Sequence, residues 1–379
     1  AQAHLSLAEA APANPRERLH QAALRAWIVG DSAARAAAWE AVLIQWPQDL
    51  LALRQYTGTL FWSGDKRHQA EVISGAAADW GAGVPGRRHF LSAHSFAMAE
   101  VGQYAIGEQS ARAALAADGE DLWALHGLAH VMEMQGRFRE GSDMLQVAAG
   151  FLNNYNLFRG HLWWHLALFL VSQSKFDEAL ALFDQEIYPG ESTFYLDIQN
   201  GASLLARLEF QGMDVGPDRW ERLAQAALRV GTQTTIWYTA MHQVMALVRS
   251  GRISVAQSVI GYLEASAQVY PQAATARGLS AAAMAFYQGQ NEAALAGMLA
   301  LRQTHGDLGA SHAQQDIYDQ MMVMAARNLG DFPRVRHLLK ARLTTRYWDE
   351  TSWEYFLIGT KAVAEVHDDT GIRAAFRWQ

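Results

Sequence analysis

Glycine punctuates this chain at a spacing that suits paired helices. Gly30, Gly64, Gly102, Gly136, Gly212, Gly251, Gly289 and Gly330 each end one apolar, helix-like stretch and precede another. Their steps are 34, 38, 34, 76, 39, 38 and 41, and 76 is two steps of 38. The absent anchor is Ser174 in "VSQSKFDEALALFDQEI", which gives nine units. Glycine suits the exit from a helix because a left-handed residue there strains any side chain.

A helix–turn–helix unit of about 34 residues is the tetratricopeptide period. Strand signals, meaning alternating Val, Ile and Thr runs between Asn-Gly or Asp-Gly turns, are nearly missing. The expected fold is therefore all-α, a tetratricopeptide-like helical-pair solenoid of about nine superhelical repeats with a C-terminal capping helix. Residues 1–15 read as a flexible N-terminus, 16–349 as one continuous array and 350–379 as capping helix and tail. Pro15 suits a first helical turn. Small residues, Ala105, Ala179, Ala256 and Ala293, are expected where paired helices approach closely.

Composition narrows the function. The formal net charge is -7 and no basic run appears, which argues against a nucleic-acid surface. No cysteine is present, which removes disulfides, thiolate metal sites and cysteine nucleophiles. No apolar run approaches the ~20 residues of a membrane span. The first residues lack a signal-peptide pattern, so the cytoplasm is the default location. "GAGVPG" at 81–86 does not match a nucleotide fingerprint, and no flavin signature appears.

The first helix of each unit lines the inner face of such an array, and residues three, four and seven apart share a helix face. "HGLAHVME" puts His126, His130 and Glu133 on one stripe, and "HLWWH" puts His161, Trp164 and His165 on the next. Asp197 and Asn200, then His242, then His312, Asp316 and Asp319 follow in later first helices, with His94 in an earlier one. Imidazoles suit proton transfer near neutral pH, and paired carboxylates can orient them or share the work. A lone buried histidine is most often structural, but two neighbouring pairs beside a carboxylate weaken that reading. "HGLAH" lacks the glutamate of a zincin motif, so metalloprotease chemistry is not expected.

The segments "HGLAHVMEMQGRFREG", "GHLWWHLALFLVSQSKFDEALALFDQEI", "FYLDIQNGASLLARLEFQG", "MHQVMALV" and "GASHAQQDIYDQMMVMAARN" resemble the tetratricopeptide-repeat protein 38 family. The resemblance runs from about Arg16 to Leu329. It carries the family pattern onto His126, His130, Glu133, His161, Trp164, His165, Asp197, His242, Gln314, Asp316 and Gln320. Asn200 stands where an aspartate is expected, and His94 where an aromatic is usual.

The expected function is a small-molecule site in the inner pocket, performing acid/base chemistry of hydrolase or lyase type. His126, His130, Glu133, His161, His165, His242 and Asp316 are the candidate catalytic residues. His94, Trp164, Asp197, Asn200, Tyr238, His312 and Gln320 are the candidate substrate contacts. The cofactor is unknown; a divalent metal on His126, His130, His161 and His165 is the candidate. The alternative is a non-catalytic scaffold holding a peptide or protein on its concave surface.

Overall fold

A computed structural model of the chain describes residues 2–152, 158–232, 236–343, 352 and 356–358. Among them are nineteen α-helices and no strand. Helix α1 (Gln2–Ala10) lies in the segment read as a flexible N-terminus. Nine pairs follow. They are α2 (Pro15–Val29) with α3 (Ser32–Gln45), α4 (Leu50–Trp62) with α5 (Lys66–Gly75), and α6 (Arg87–Glu100) with α7 (Tyr104–Ala117). Next come α8 (Leu122–Met134) with α9 (Phe138–Leu152), α10 (Arg159–Val171) with α11 (Phe176–Leu182), and α12 (Tyr195–Phe210) with α13 (Pro217–Val230). The last are α14 (Tyr238–Arg249) with α15 (Ile253–Ser266), α16 (Pro271–Tyr287) with α17 (Asn291–Ala300), and α18 (His312–Asn328) with α19 (Phe332–Leu343). The fold is tetratricopeptide-like. Most of the capping segment 350–379 falls outside the described residues.

The turn inside each pair sits where the anchors placed it. All eight anchor glycines have φ between 71° and 82°, and Ser174 takes the same left-handed conformation at φ 59°. Helix starts are fixed by side chains as well. Asn14 caps α2 in a reciprocal box with Glu17, with Pro15 at the first helical position.

In the third, fourth, fifth, seventh and eighth pairs the close-approach position lies five residues after the anchor, which corrects two of the expected residues. Ala179 and Ala256 are fully buried, but Ala105 and Ala293 are exposed. Gly107 and Ala294 hold the register in those pairs. A Cβ on Gly107 would stand 2.9 Å from the Ser95 carbonyl oxygen. In the fourth pair the same position is Gly141, where a Cβ would meet the Phe169 ring at 2.5 Å. Alanine-rich helices offer several candidates one or two residues apart, and helix phase decides which one faces inward.

The chain forms two compact units. One comprises Ala1–Val131 with Gly306–Ser311, and the other comprises Met132–His305 with His312–Gln379. The division falls inside the continuous helix α8. In the first unit, the stretch Gly306–Ser311 covers the α4–α5 turn so tightly that a Cβ on Gly64 would lie 2.5 Å from the Gly306 oxygen.

In the second unit the first helices α10, α12 and α14 are buried on every side. Helix α12 is buried continuously from Leu196 to Leu208 and packs against α10, α13, α14 and α18. The inner face of the sixth pair is thus covered by the first helix of the ninth. Arg207 Nη2 donates to the Ala313 oxygen (2.9 Å), Gln314 Nε2 to Gln199 Oε1 (3.2 Å), and Tyr238 OH to the Gln314 oxygen (2.7 Å). The concave groove expected along the array is filled, within this unit, by its own side chains.

Candidate functional site: a four-histidine centre

Helix α8 carries His126 and His130 one turn apart, so their rings meet edge to face with centroids 4.5 Å apart. Their Nε2 atoms lie 3.0 Å from each other. Phe96 of α6 stacks on the His126 ring at 4.9 Å and meets His130 edge-on at 5.0 Å. On its other side, His130 Nδ1 lies 3.3 Å from Glu100 Oε1, and Glu100 Oε2 lies 2.9 Å from Lys66 Nζ. Glu100 stands at the last position of α6 with its side chain fully buried.

Helix α10 repeats the arrangement with His161 and His165, whose ring centroids are 4.8 Å apart. His161 stacks on Trp164 at 5.1 Å, and its Nδ1 lies 3.0 Å from Asn200 Oδ1. An amide oxygen only accepts, so that contact places the proton on Nδ1 and the lone pair on Nε2. His165 Nδ1 lies 3.3 Å from Glu133 Oε2. All four histidines are buried, His130 and His165 completely. One ring nitrogen from each of His126, His130, His161 and His165 lies within 4.8 Å of the others, a grouping able to hold a metal ion.

The remaining expected residues keep other company. His242 of α14 sits in the interior of the second unit, its Nδ1 3.1 Å from the Tyr238 carbonyl oxygen. Tyr238 faces Tyr318 across 6.0 Å, and burial pushes its phenol well up, which keeps the hydroxyl protonated. Gln199 joins the same network by donating to Thr239 Oγ1 at 2.8 Å. Asp197 accepts from Ser192 Oγ at 2.6 Å, its carboxyl raised by burial. Asp316, expected as an acid/base group, accepts two hydrogen bonds from Arg342 at 2.6 and 2.9 Å, with Gln320 donating at 2.5 Å. His94, expected as a substrate contact, bonds Ser110 at 2.9 Å and stacks on Phe90; burial lowers its pKa. His312 is half-buried at the start of α18.

Burial lowers His242 to about 3, and the nearby Arg207 guanidinium adds to the shift. The unfolded chain binds that proton near pH 6.5, so the unfolded state gains protons first as pH falls. Stability is therefore lost from about pH 6.5 down towards pH 3, at about 1.4 kcal/mol per pH unit from this group. Against wild type, His242→Gln is expected to flatten the fall in urea-unfolding free energy between pH 6.5 and 4. An unchanged slope would mean that His242 is protonated in the fold.

Glu100, Lys66, Phe96, Arg207 and Arg342 were not singled out by sequence. For Glu100 a signal existed. "SFAMAEVG" is a run of apolar and small residues in which one carboxylate directly precedes the turn, and that position is buried.

No protein-family model matches the chain. Among solved structures, the crystal structure of the P58(IPK) TPR domain aligns with 94% of this chain and 100% of that one, at 10% identity and a TM-score of 0.27. Among the described residues, no helix is long and apolar enough to cross a membrane.

Proposed function

We propose that this is a metal-binding helical-repeat protein, in which His126, His130, His161 and His165 hold one divalent transition-metal ion. The carrying observation is the convergence of four buried imidazole nitrogens within 4.8 Å. Nitrogen ligands about 2.0–2.1 Å from a tetrahedral zinc are about 3.4 Å apart, so a small inward movement of the rings completes the shell. Neutral imidazoles favour zinc, copper or nickel over magnesium and calcium. Four protein donors make a closed centre of the structural kind, whereas catalytic zinc keeps a position open. Hydrolase- or lyase-type chemistry on a small molecule therefore takes second place to a fold-stabilising metal. The resemblance to the tetratricopeptide-repeat protein 38 family belongs to the same proposal, because it rests on these histidine-bearing helices.

A peptide-binding role is the second reading, and one observation favours it. The first unit has a cleft of about 390 Å³ on α2, α3 and α4, lined by Asn14, His20, Leu24, Trp27, Leu51 and Gln55 among others. Leu24, Trp27 and Leu51 are exposed there. Apolar side chains flanked by amides suit a partner segment that brings both apolar groups and backbone to pair.

The deciding experiment is elemental analysis after incubation with zinc and desalting. One zinc per chain is expected in wild type. None is expected in the double variant His126→Ala, His165→Ala, with helicity checked by circular dichroism. Wild-type protein that retains no zinc, copper or nickel overturns the metal reading.

A further inference from the structure

We infer that Glu100, Glu133 and Asn200 are the positioning residues of the metal centre, and that the negative charge they bring strengthens its hold on a divalent cation. The inference rests on the four-histidine reading above and concerns groups that touch no metal themselves.

The rings of His130, His165 and His161 each have Nδ1 turned to a side-chain oxygen. His130 faces Glu100 Oε1 at 3.3 Å, His165 faces Glu133 Oε2 at 3.3 Å, and His161 faces Asn200 Oδ1 at 3.0 Å. The oxygens come from the ends or middles of three different helices, α6, α8 and α12. Each can fix the proton on Nδ1, which leaves the Nε2 lone pair as the only metal donor of that ring. Such outer partners orient the imidazole and raise its basicity, and their loss typically costs 10–100-fold in metal affinity. The 3.3 Å contacts stand just beyond the usual ~2.7–3.2 Å range for N–H···O bonds, so a slight ring rotation on metal binding closes them.

The charges differ in a useful way. Glu100 and Glu133 are both buried and bring two negative charges, while Asn200 brings none. Buried carboxylates are costly unless compensated; Lys66 compensates Glu100 in part, and a dication among four neutral imidazoles supplies further positive charge. Lys66, its side chain 11% exposed, holds the far oxygen of Glu100 and so fixes the orientation of the near one. With Lys66 counted these groups sum to one negative charge, so a carboxylate in place of Asn200 would bring the sum to two and draw a dication more strongly.

The test is zinc affinity by chelator competition at one fixed pH, in wild type, Glu100→Gln, Glu133→Gln and Asn200→Asp. Both glutamine variants keep an acceptor oxygen and nearly the same shape. Each is expected to bind zinc 10–100-fold more weakly, and Asn200→Asp about 10-fold more tightly. Cobalt(II) absorption should keep its tetrahedral intensity in all four, because the inner ligands are unchanged. The gain in Asn200→Asp is the readout that a merely structural role would not give. If wild type binds zinc and the three variants match it within about twofold, the positioning inference falls while the four-histidine reading stands. If Asn200→Asp binds more weakly than wild type, the charge argument falls. Wild type that binds no metal overturns both. Should one glutamine variant fail to fold, the other and Asn200→Asp decide.

Discussion

Zinc added to the metal-stripped protein is expected to raise its unfolding free energy by about 4 kcal/mol once free zinc stands a thousandfold above Kd. The size follows from linkage, since the unfolded chain has no preformed arrangement of four imidazoles. His126 and His130 are held by one helix, and so are His161 and His165, because four residues complete about one helical turn. Each helix therefore offers two donors already oriented, and the entropy of assembling the site is mostly spent when the helices fold. The measurement is thermal or urea unfolding across a zinc series, with the His126→Ala, His165→Ala protein as control. A wild-type response equal to that control removes the specific site. Slower amide exchange confined to α8 and α10 would place the stabilisation at the helices that carry the ligands.

Much of this was legible in the sequence, and what was not has a physical reason. The turn period is legible because a left-handed residue must recur once per pair, whatever the helices do. Even the exception at Ser174 sits in register, with φ 59°. Histidines four apart are legible because helix geometry alone puts them on one face. Glu100 escaped because its relation to His130 spans thirty residues and two repeats (130 − 100), and no local periodicity reports such a distance. The closure of the second unit escaped for the same reason. Gln314 reaches Gln199 across 115 residues, and an inner helix in a filled interior reads just like one facing an open groove. Asp316 shows the limit most plainly. A carboxylate on a first helix suggests an acid/base group by its position alone, while its partner Arg342 stands 26 residues on, in the second helix of the same pair.

That pair sets the second large effect. Arg342→Ala is expected to cost about 3–5 kcal/mol, because it leaves a buried carboxylate without its cation. Both partners are nearly inaccessible, Asp316 at 4% and Arg342 at 6% exposure, so water cannot take over the solvation. The geometry is bidentate, and Arg342 Nη1 also donates to Ser352 Oγ at 2.8 Å, so one guanidinium ties α18 and α19 to residue 352. Gln320 donates to Asp316 from one turn along, which softens the loss without replacing the charge. Replacing both ions with leucine should cost far less than removing Arg342 alone, since the penalty lies in the uncompensated charge. Urea unfolding of Arg342→Ala, Asp316→Leu with Arg342→Leu, and wild type separates the two contributions. A single variant within about 1 kcal/mol of wild type would mean that Asp316 sheds its charge or reaches water.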